Sequence, residues 1–283
     1  MIQKPMFSPQ TEWLPPESFP DLSKYDEIAI DLETKDPQLK TMGSGSVTGR
    51  GRIVGIALAV KDWSGYFPIA HEGGGNMDEK MVMDYFRTVL NYPSTKIFHN
   101  AMYDVCFIRA AGLKINGTIV DTMIAGSLVD ENRFRYDLGS MGRDYLGRGK
   151  NEAVLNETAA LWGVDPKSEM YKLPAMYVGE YAERDAEMTL ELWQNMKQEI
   201  QHQDIQSIFD LETELFPCLV DMRFLGVRVD IQAANELKEK LSSEEKECLQ
   251  KVKKETGVDT QIWAARSIAQ VFEKLRLPFD RTE

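Results

Sequence analysis

The chain has 283 residues, 43% of them apolar, which allows one large domain or two small ones and excludes a disordered chain. Its 33 basic and 45 acidic residues give a net charge of −12, which excludes a protein that holds nucleic acid by a general basic surface. An enzyme of nucleic acids is not excluded, because bound metal ions supply positive charge locally.

The N-terminal quarter of the chain is predicted to form an extended arm followed by three strands. Residues 1–24 are rich in proline and lack periodic apolar positions, which indicates an extended arm. Apolar runs and alternation predict strands at Glu27–Thr34, Arg52–Val60 and Gly65–Ile69. Residues 35–52 are rich in Gly, Ser and Thr and predict a long loop, and a short turn around Asp62–Ser64 joins the last two strands. We expect the three strands to form an antiparallel meander.

The rest of the chain predicts helices around one further strand. Val82 and Phe86 share a helical face after a break at residues 71–76, and Pro93 ends that helix. Residues 130–175 are broken by glycines and prolines and receive no assignment. The remaining predicted elements are a strand at Lys96–His99 and helices at Ala101–Ala111, Asp121–Leu128, Val178–Gln201, 205–225, 231–256 and 262–276.

The cysteine and histidine positions argue against a zinc site. The cysteines are separated by 112 and 30 residues, which matches no zinc-binding spacing, and the histidines are scattered. These residues are Cys106, Cys218, Cys248, His71, His99 and His202. The odd number of thiols and the absence of a signal-peptide pattern at residues 1–20 favour free thiols in a reducing cytoplasm. The longest apolar run, Ile53–Val60, is too short to span a membrane, so we predict no membrane association.

Four carboxylates and one tyrosine lie where the predicted elements can bring them together. Asp31 and Glu33 are two residues apart on a strand, so both project from one face. Asp104 lies in the first turns of the helix that follows the fourth strand. Tyr181 and Asp185 are four residues apart on a helix, so they face the same way.

A cluster of these carboxylates is predicted to bind cations. Two carboxylates ~4 Å apart repel by about 4 kcal/mol at an effective dielectric of about 20, so the cluster either takes up protons or binds metal. Ligands that are all oxygen select Mg²⁺ or Mn²⁺ over zinc. Two divalent ions ~3.5–4 Å apart form the clamp that is used for phosphodiester chemistry.

Three segments carry a resemblance to a known family. The strings DLET at 31–34, HNAMYD at 99–104 and YAERD at 181–185 resemble the three exonuclease motifs of the DEDD superfamily, in order and in spacing. The Tyr-x-x-x-Asp form of the third string resembles the DEDDy branch. The segments 31–60 and 121–147 resemble the proofreading domain of phage DNA polymerases of family A, the DNA polymerase I type.

The resemblance implies an RNase H-like (DnaQ-like) α/β fold, with a mixed sheet flanked by helices and a C-terminal helical extension. It implies a 3′-5′ exonuclease that removes nucleotides one at a time from a single-stranded or frayed DNA 3′ end. Asp31, Glu33 and Asp185 would bind the first divalent ion, and Asp31 and Asp104 the second. Tyr181 would orient the attacking water. The resemblance further assigns the terminal nucleotide to Thr34, Asn100 and Tyr103.

The domain organisation follows from the same resemblance. We expect an arm at 1–24, an exonuclease domain at 25–205 and the helical start of a polymerase thumb region at 206–283. Residues 212–230 and 263–279 resemble segments at the start of the family A polymerase region. The chain would therefore lack the polymerase active site and contact a polymerase domain or polypeptide through 206–283. A phage-encoded protein of this kind would act in the host cytoplasm.

Two alternatives remain open: an RNA exonuclease of the ribonuclease D type, and a catalytically silent module that holds DNA. Other candidate residues favour structural roles. Arg50 and Arg52 are expected in a solvated loop, and Asp121 is expected to cap or orient a helix. The remaining expectations are surface positions for Asp137 and Asp144 and core positions for Trp162 and Trp193.

Overall fold

The computed structural model of the protein describes residues 10–280. Within these residues the chain forms five strands: β1 (Glu27–Lys35), β2 (Arg52–Val60), β3 (Trp63–Pro68), β4 (Thr95–Phe98) and β5 (Ile119–Asp121). The α-helices of the same residues are α1 (Leu39–Met42), α2 (Gly45–Thr48), α3 (Glu79–Asn91), α4 (Ala101–Ala110), α5 (Thr122–Val129), α6 (Leu138–Leu146), α7 (Ala153–Trp162), α8 (Gly179–His202), α9 (Gln206–Leu225), α10 (Ile231–Thr256) and α11 (Ala265–Leu275). Two short 3₁₀ helices, at Met170–Lys172 and Ala175–Tyr177, precede α8.

The five strands form one mixed sheet with the order β3-β2-β1-β4-β5. β1 pairs antiparallel with β2, and β2 pairs antiparallel with β3, so the predicted meander is confirmed. β4 pairs parallel with β1, and β5 pairs parallel with β4. The pairing of β4 with β1 covers only Glu27–Ala29, so the second half of β1 extends past the end of β4.

Alternation along β1 divides the core into two layers. Ile28, Ile30 and Leu32 project into an apolar cluster that includes residues of α3 and α4. Ala29 projects to the other face, into a cluster that includes the buried side of α8. The sheet therefore lies between helices on both faces, and the predicted fold class is confirmed. Since strand residues alternate, Asp31 and Glu33 follow Ala29 on the α8 face.

Side-chain caps fix where several helices begin. The Asp78 side chain accepts a hydrogen bond from the Met81 amide at the start of α3, and α3 ends two residues before Pro93. The Asp121 side chain accepts one from the Met123 amide at the start of α5, which confirms the predicted cap. Asp137, whose side chain is exposed as predicted, caps α6 in the same way.

Three local predictions are wrong. Residues 35–52 are not simply a loop, because they contain the single-turn helices α1 and α2 and the end of β1. The segment predicted as a helix from Asp121 begins instead with the end of strand β5, and the helix starts at Thr122. The turn predicted at Asp62–Ser64 is tighter: Trp63 already belongs to β3, and Asp62 adopts a left-handed φ of 67°.

The chain divides into two compact units that meet in sequence at Leu225 and Gly226. In the first unit α9 packs on the core through the buried side chains of Phe209, Phe216 and Val220. The boundary that we predict after residue 205 remains a prediction. The first nine residues of the predicted N-terminal arm lie outside the described residues, and residues 10–24 form neither helix nor strand.

The second unit consists mainly of α10 and α11. The Asp230 side chain caps α10 through the Ala233 amide, and Gly257 in a left-handed conformation ends it. Few side chains of this unit are buried, and Trp263 is 95% exposed. Across residues 10–280, we find no helix with the length and apolar character that crossing a membrane requires.

Candidate active site

The second half of β1 carries Asp31 and Glu33 on one face of the sheet. Both side chains are half-buried, and both residues are paired with β2, Asp31 opposite Ala57 and Glu33 opposite Gly55. The register shifts between Glu33 and Thr34, which marks an irregularity in the strand directly after the second carboxylate. Small residues on β2 therefore lie opposite both acids.

Gly55 is required at its position by a buried tyrosine. A Cβ atom on Gly55 would lie 2.0 Å from the hydroxyl oxygen of Tyr66, so the Tyr66 ring fills the space that a side chain would take. The Tyr66 hydroxyl is 2.7 Å from Nε2 of His71, and Nδ1 of His71 is 3.0 Å from the Leu173 carbonyl oxygen. His71 is thus a buried hydrogen-bonding partner of Tyr66, whose hydroxyl in turn feels the charges of Glu33 and Asp31.

Asp104 reaches the same strand from α4. Because β4 runs parallel to β1 and ends early, the helix that follows it begins beside the second half of β1. The Asp104 side chain is buried, which raises its pKa, and the backbone N–H of Leu32, between the two acids of β1, favours its charged form and acts to lower that pKa. The strand-to-helix connection thus places the third predicted acid against the first two.

Tyr181 and Asp185 come from the first two turns of α8. They are four residues apart and lie on the same side of the helix, as predicted. Asp185 is buried and Tyr181 is half-buried. The structure therefore brings all four predicted carboxylates and the predicted tyrosine to one place, since each interacts electrostatically with at least two of the others.

The carboxylates of this cluster resist ionisation. Burial and the charge of Asp185 raise the pKa of Asp31 to about 7, against the opposing charge of Lys150. Burial, followed by the charges of neighbouring acids, raises the pKa values of Glu33 and Asp104 well above their usual range. Burial also raises the pKa of the Tyr181 hydroxyl far above 10, so this group stays protonated at neutral pH.

Lys150 belongs to this site, and sequence reasoning missed it. Its ammonium forms an ion pair with Oδ2 of Asp185 and donates to the Tyr181 hydroxyl over 3.1 Å. It also lies 5.1 Å from the centroid of the Tyr181 ring. Lys150 is 31 residues before Tyr181 in an irregular segment, so neither periodicity nor a local motif could have indicated it.

The chemistry of the donor set fits divalent metal ions. All four acids offer oxygen ligands, and Oδ1 of Asp185 is buried with no hydrogen-bond partner. Mutual repulsion, seen in the raised pKa values, is relieved by a bound cation. Among residues 10–280, however, no group of three or more His, Cys, Asp or Glu side chains is already arranged to hold one metal ion. The four acids lie close together, and the ammonium of Lys150 lies among them.

The residues predicted to contact a terminal nucleotide lie beside the carboxylates. The Thr34 hydroxyl is 2.8 Å from the Tyr103 hydroxyl, and the Tyr103 ring packs on Phe107 with ring centroids 5.0 Å apart. Asn100 adopts a left-handed conformation with φ of 65° just before α4. The Asp121 carboxylate accepts hydrogen bonds from the backbone N–H groups of Asn100 and Ala101, which fixes the start of that helix.

The other candidate residues have structural roles. Arg52 lies at the start of β2 and pairs with Glu79 at 3.0 Å, while Arg50 is exposed. Trp193 is buried, and Trp162 packs on the same core cluster, so both tryptophan predictions are confirmed. The remaining assignments are an exposed Asp144 that pairs with Arg133, a buried Cys106, and exposed Cys218 and Cys248.

Comparison with known proteins matches this chain to a protein family. Residues 8–201 match a family model described as 3′-5′ exonuclease of the DNA polymerase A type. Over 99% of its length the chain is 32% identical to a DNA-directed DNA polymerase of Pseudomonas phage M6, and it spans 44% of that relative.

Two solved structures share the fold. The DNA polymerase domain of Pol1 from M. smegmatis, in complex with a DNA primer-template and dNTP, matches 92% of this chain with a TM-score of 0.61 and 16% identity, and 40% of that chain is covered. Brucella melitensis NrnC with bound Mg²⁺ matches 75% of this chain with a TM-score of 0.52 and 18% identity, and 92% of that chain is covered. Together with the family match, these neighbours identify the sheet and its flanking helices as the RNase H-like exonuclease fold.

Proposed function

The chain belongs to the family of 3′-5′ exonuclease domains of family A DNA polymerases, and from this premise we propose that it is a metal-dependent nuclease that removes nucleotides from a DNA 3′ end. The observation that carries the proposal is the convergence of Asp31, Glu33, Asp104 and Asp185 around Tyr181. In a member of this family, such a cluster of mutually repelling carboxylates is the expected site of phosphodiester hydrolysis.

The four acids divide between two divalent ions. We assign Asp31, Glu33 and Asp185 to one ion and Asp31 and Asp104 to the other. Mg²⁺ or Mn²⁺ is the expected ion, because oxygen ligands suit both and because the similar NrnC structure holds Mg²⁺. When bound, such ions activate an attacking water and neutralise the charge that develops on the scissile phosphate.

We propose that Tyr181 and the nucleotide-contacting residues orient the water and the substrate and do not themselves transfer protons. The Tyr181 hydroxyl stays protonated, so it orients the attacking water by hydrogen bonding and does not act as a base. Thr34 and Tyr103, whose hydroxyls contact each other, line the terminal nucleotide together with Asn100. A single-stranded or frayed end is preferred, since a paired terminal nucleotide must be separated from its partner strand before it enters the site.

We propose DNA rather than RNA as the substrate, because nearly the whole of this chain is similar to a phage DNA polymerase. The chain spans less than half of that relative, so proofreading for a polymerase is part of the proposal, as is contact of residues 206–283 with a polymerase domain. Since this function belongs to DNA replication, we expect the protein in the cytoplasm of a bacterial or phage-infected cell.

One assay tests the proposed function. Purified full chain is incubated with 5′-labelled DNA and RNA oligonucleotides of one sequence, in Mg²⁺, in Mn²⁺ and in EDTA. We expect a ladder of products shortened from the 3′ end of the DNA in either metal and no cleavage in EDTA. Faster degradation of the RNA would favour the ribonuclease D type of activity, and no cleavage of either substrate would favour a silent module.

A further inference from the structure

Lys150 lies in an irregular segment between two helices but contacts the carboxylate cluster. Residues 147–152 connect α6 to α7 without regular secondary structure. The segment begins at Gly147, whose φ of 67° ends α6 in the left-handed conformation, and Gly149 directly precedes the lysine. Gly147 and Gly149 make the backbone before Lys150 conformationally permissive, and Arg148 between them pairs with Glu191 of α8 at 2.6 Å.

The Lys150 side chain is nevertheless placed in the site by three contacts. It pairs with Oδ2 of Asp185, donates to the Tyr181 hydroxyl and lies over the Tyr181 ring. The side chain is only 22% exposed, and the Asp185 side chain is only 5% exposed. A long flexible side chain is thus ordered against a buried acid, which requires a strong electrostatic reason.

The reason is the surplus of negative charge. The charges of Asp31, Glu33 and Asp185 all interact with the Lys150 ammonium. Desolvation opposes a buried ammonium, but the attraction of Asp185 and of the two β1 acids outweighs it. In the protein without bound metal, Lys150 supplies the positive charge that the cluster needs.

This contact conflicts with the metal assignment. A divalent ion and an ammonium repel each other, and the repulsion is strong where burial limits screening by water. Asp185 is among the proposed metal ligands, and one of its two oxygens is occupied by Lys150, whereas the other has no partner. An ion bound by Asp185 and the ammonium of Lys150 therefore weaken each other's binding.

We propose that Lys150 is an internal cation of the carboxylate site that competes with divalent metal for Asp185 and is displaced when metal binds. This inference rests on the proposed function, because it takes the metal site as given. Lys150 then acts as a positioning residue that keeps the acids in place without metal and lowers the metal affinity of the site. The four-carbon stem of Lys150 is flexible, so its ammonium can move away from Asp185.

The test measures metal binding without substrate, by isothermal titration calorimetry of Mn²⁺ into the full chain. Lys150→Met removes the ammonium and keeps an unbranched apolar stem. Lys197→Met is the matched control, because Lys197 also pairs with a carboxylate, Glu27 at 2.6 Å, and lies 5.7 Å from an aromatic ring, that of Trp193. We expect Lys150→Met to bind Mn²⁺ roughly tenfold more tightly, the effect of one competing charge, and Lys197→Met to match the wild type.

A thermal melt supplies a second readout and reports folding. In EDTA the melting temperature of Lys150→Met should fall, because the acids lose their cation. With saturating Mn²⁺ it should equal or exceed that of the wild type. If Lys150→Met does not fold, Lys150→Gln is measured in the same two ways, with the same expected directions.

The outcomes separate this inference from the proposed function. If wild-type protein binds Mn²⁺ and Lys150→Met binds it equally or more weakly, the competition is wrong and the metal site stands. If neither the wild type nor either lysine variant binds Mn²⁺, the metal site itself is wrong, and the inference fails with it. Tighter binding by Lys197→Met as well would show a general charge effect and would also overturn the competition.

Discussion

Strand β1 carries carboxylates near helix α8 at two places, and the pKa shifts of these carboxylates have opposite signs. At the start of β1, Glu27 accepts hydrogen bonds from Trp193, Gln194 and Lys197 at 2.6 to 2.9 Å. Burial raises the pKa of Glu27, but these three donors outweigh it, so the pKa is lowered. Towards the other end of β1, Asp31 is half-buried among acids, and its pKa is raised.

The difference separates a carboxylate that is fully hydrogen-bonded within the fold from a cluster of acids that we propose as a ligand site. Three turns of α8 separate Trp193 from Tyr181, so one helix supplies donors at one end and an acid and a hydroxyl at the other. Glu27 is satisfied within the fold. The acids around Asp31 have Lys150 as a shared cation and an oxygen of Asp185 without a partner, and we propose that a divalent cation completes this arrangement.

The largest expected effect comes from removing the charge of Asp31, with removal of the Glu27 charge as the control. Asp31→Asn should lower DNA cleavage by roughly a thousandfold or more, because its carboxylate is assigned to both metal ions. Glu27→Gln, the matched loss of one negative charge on the same strand, should leave the cleavage rate within about twofold. Single-turnover assays in Mg²⁺ decide this, and substantial cleavage by Asp31→Asn would contradict the site assignment.

The surroundings of Glu27 and of Asp31 are only partly predictable from the sequence. Asp31 and Glu33 were found because strand alternation is local and their motif is compact, and Tyr181 and Asp185 because they share a helical stripe. Lys150 was missed because its contacts depend on where an aperiodic segment crosses α8, which no local pattern encodes. Trp193 was expected in the core, but its hydrogen bond to Glu27, 166 residues away, depends on tertiary packing.

The same limit explains the errors in the fold. The strands of the meander were predicted within two residues, since each has an apolar run long enough to show its period. β5 has three residues, too few for alternation to appear, and it ends at the residue that caps α5. The single-turn helices α1 and α2 lie in a glycine-rich stretch, where propensity predicts a loop and local contacts decide otherwise.

The second prediction concerns His71, the buried partner of Tyr66, whose burial favours its neutral form. Burial lowers the pKa of His71 to about 4 from an ordinary value of 6.5, so the unfolded chain binds the proton first as the pH falls. Stability from neutral His71 is fully present above pH 6.5 and is lost as the pH falls towards 4. This loss is about 3 kcal/mol, from a shift of roughly 2.5 pH units.

Urea unfolding at pH 7, 5.5 and 4.5 measures this loss. The free energy of unfolding of wild type should fall with pH more steeply than that of His71→Gln, which keeps polar atoms near Tyr66 but has no titrating ring. His99, whose pKa burial also lowers to about 4, is present in both proteins, so its contribution cancels. Parallel profiles for the two proteins would show that His71 does not carry the effect.

The third prediction isolates the hydroxyl of Tyr181, at the end of α8 that carries Asp185. Tyr181→Phe should lower the single-turnover rate roughly ten- to a hundredfold with little change in DNA affinity or Mn²⁺ affinity, because the hydroxyl positions water and is not a metal ligand. Tyr136→Phe is the control: its hydroxyl donates to the Asp130 carbonyl at 2.7 Å and is not assigned to the site. A rate for Tyr181→Phe equal to that of the control would leave Tyr181 as a packing residue.

The smallest expected effect is a change in the free energy of unfolding. Its sign should differ between variants at the two ends of β1. Glu33→Gln and Glu27→Gln make the same chemical change on one strand. In EDTA at pH 8, Glu33→Gln should raise the free energy of unfolding by about 1 kcal/mol, because a carboxylate whose pKa is raised by burial and by neighbouring acids destabilises the fold when ionised. Glu27→Gln should lower it by no more than about 1 kcal/mol, since its donors favour the charged form and solvent screens the pair.

Saturating Mn²⁺ should then stabilise wild type and Glu27→Gln more than Glu33→Gln, because only the last has lost a proposed ligand. If both variants are destabilised in EDTA, the fold already satisfies both carboxylates, and the two ends of β1 do not differ in the way proposed.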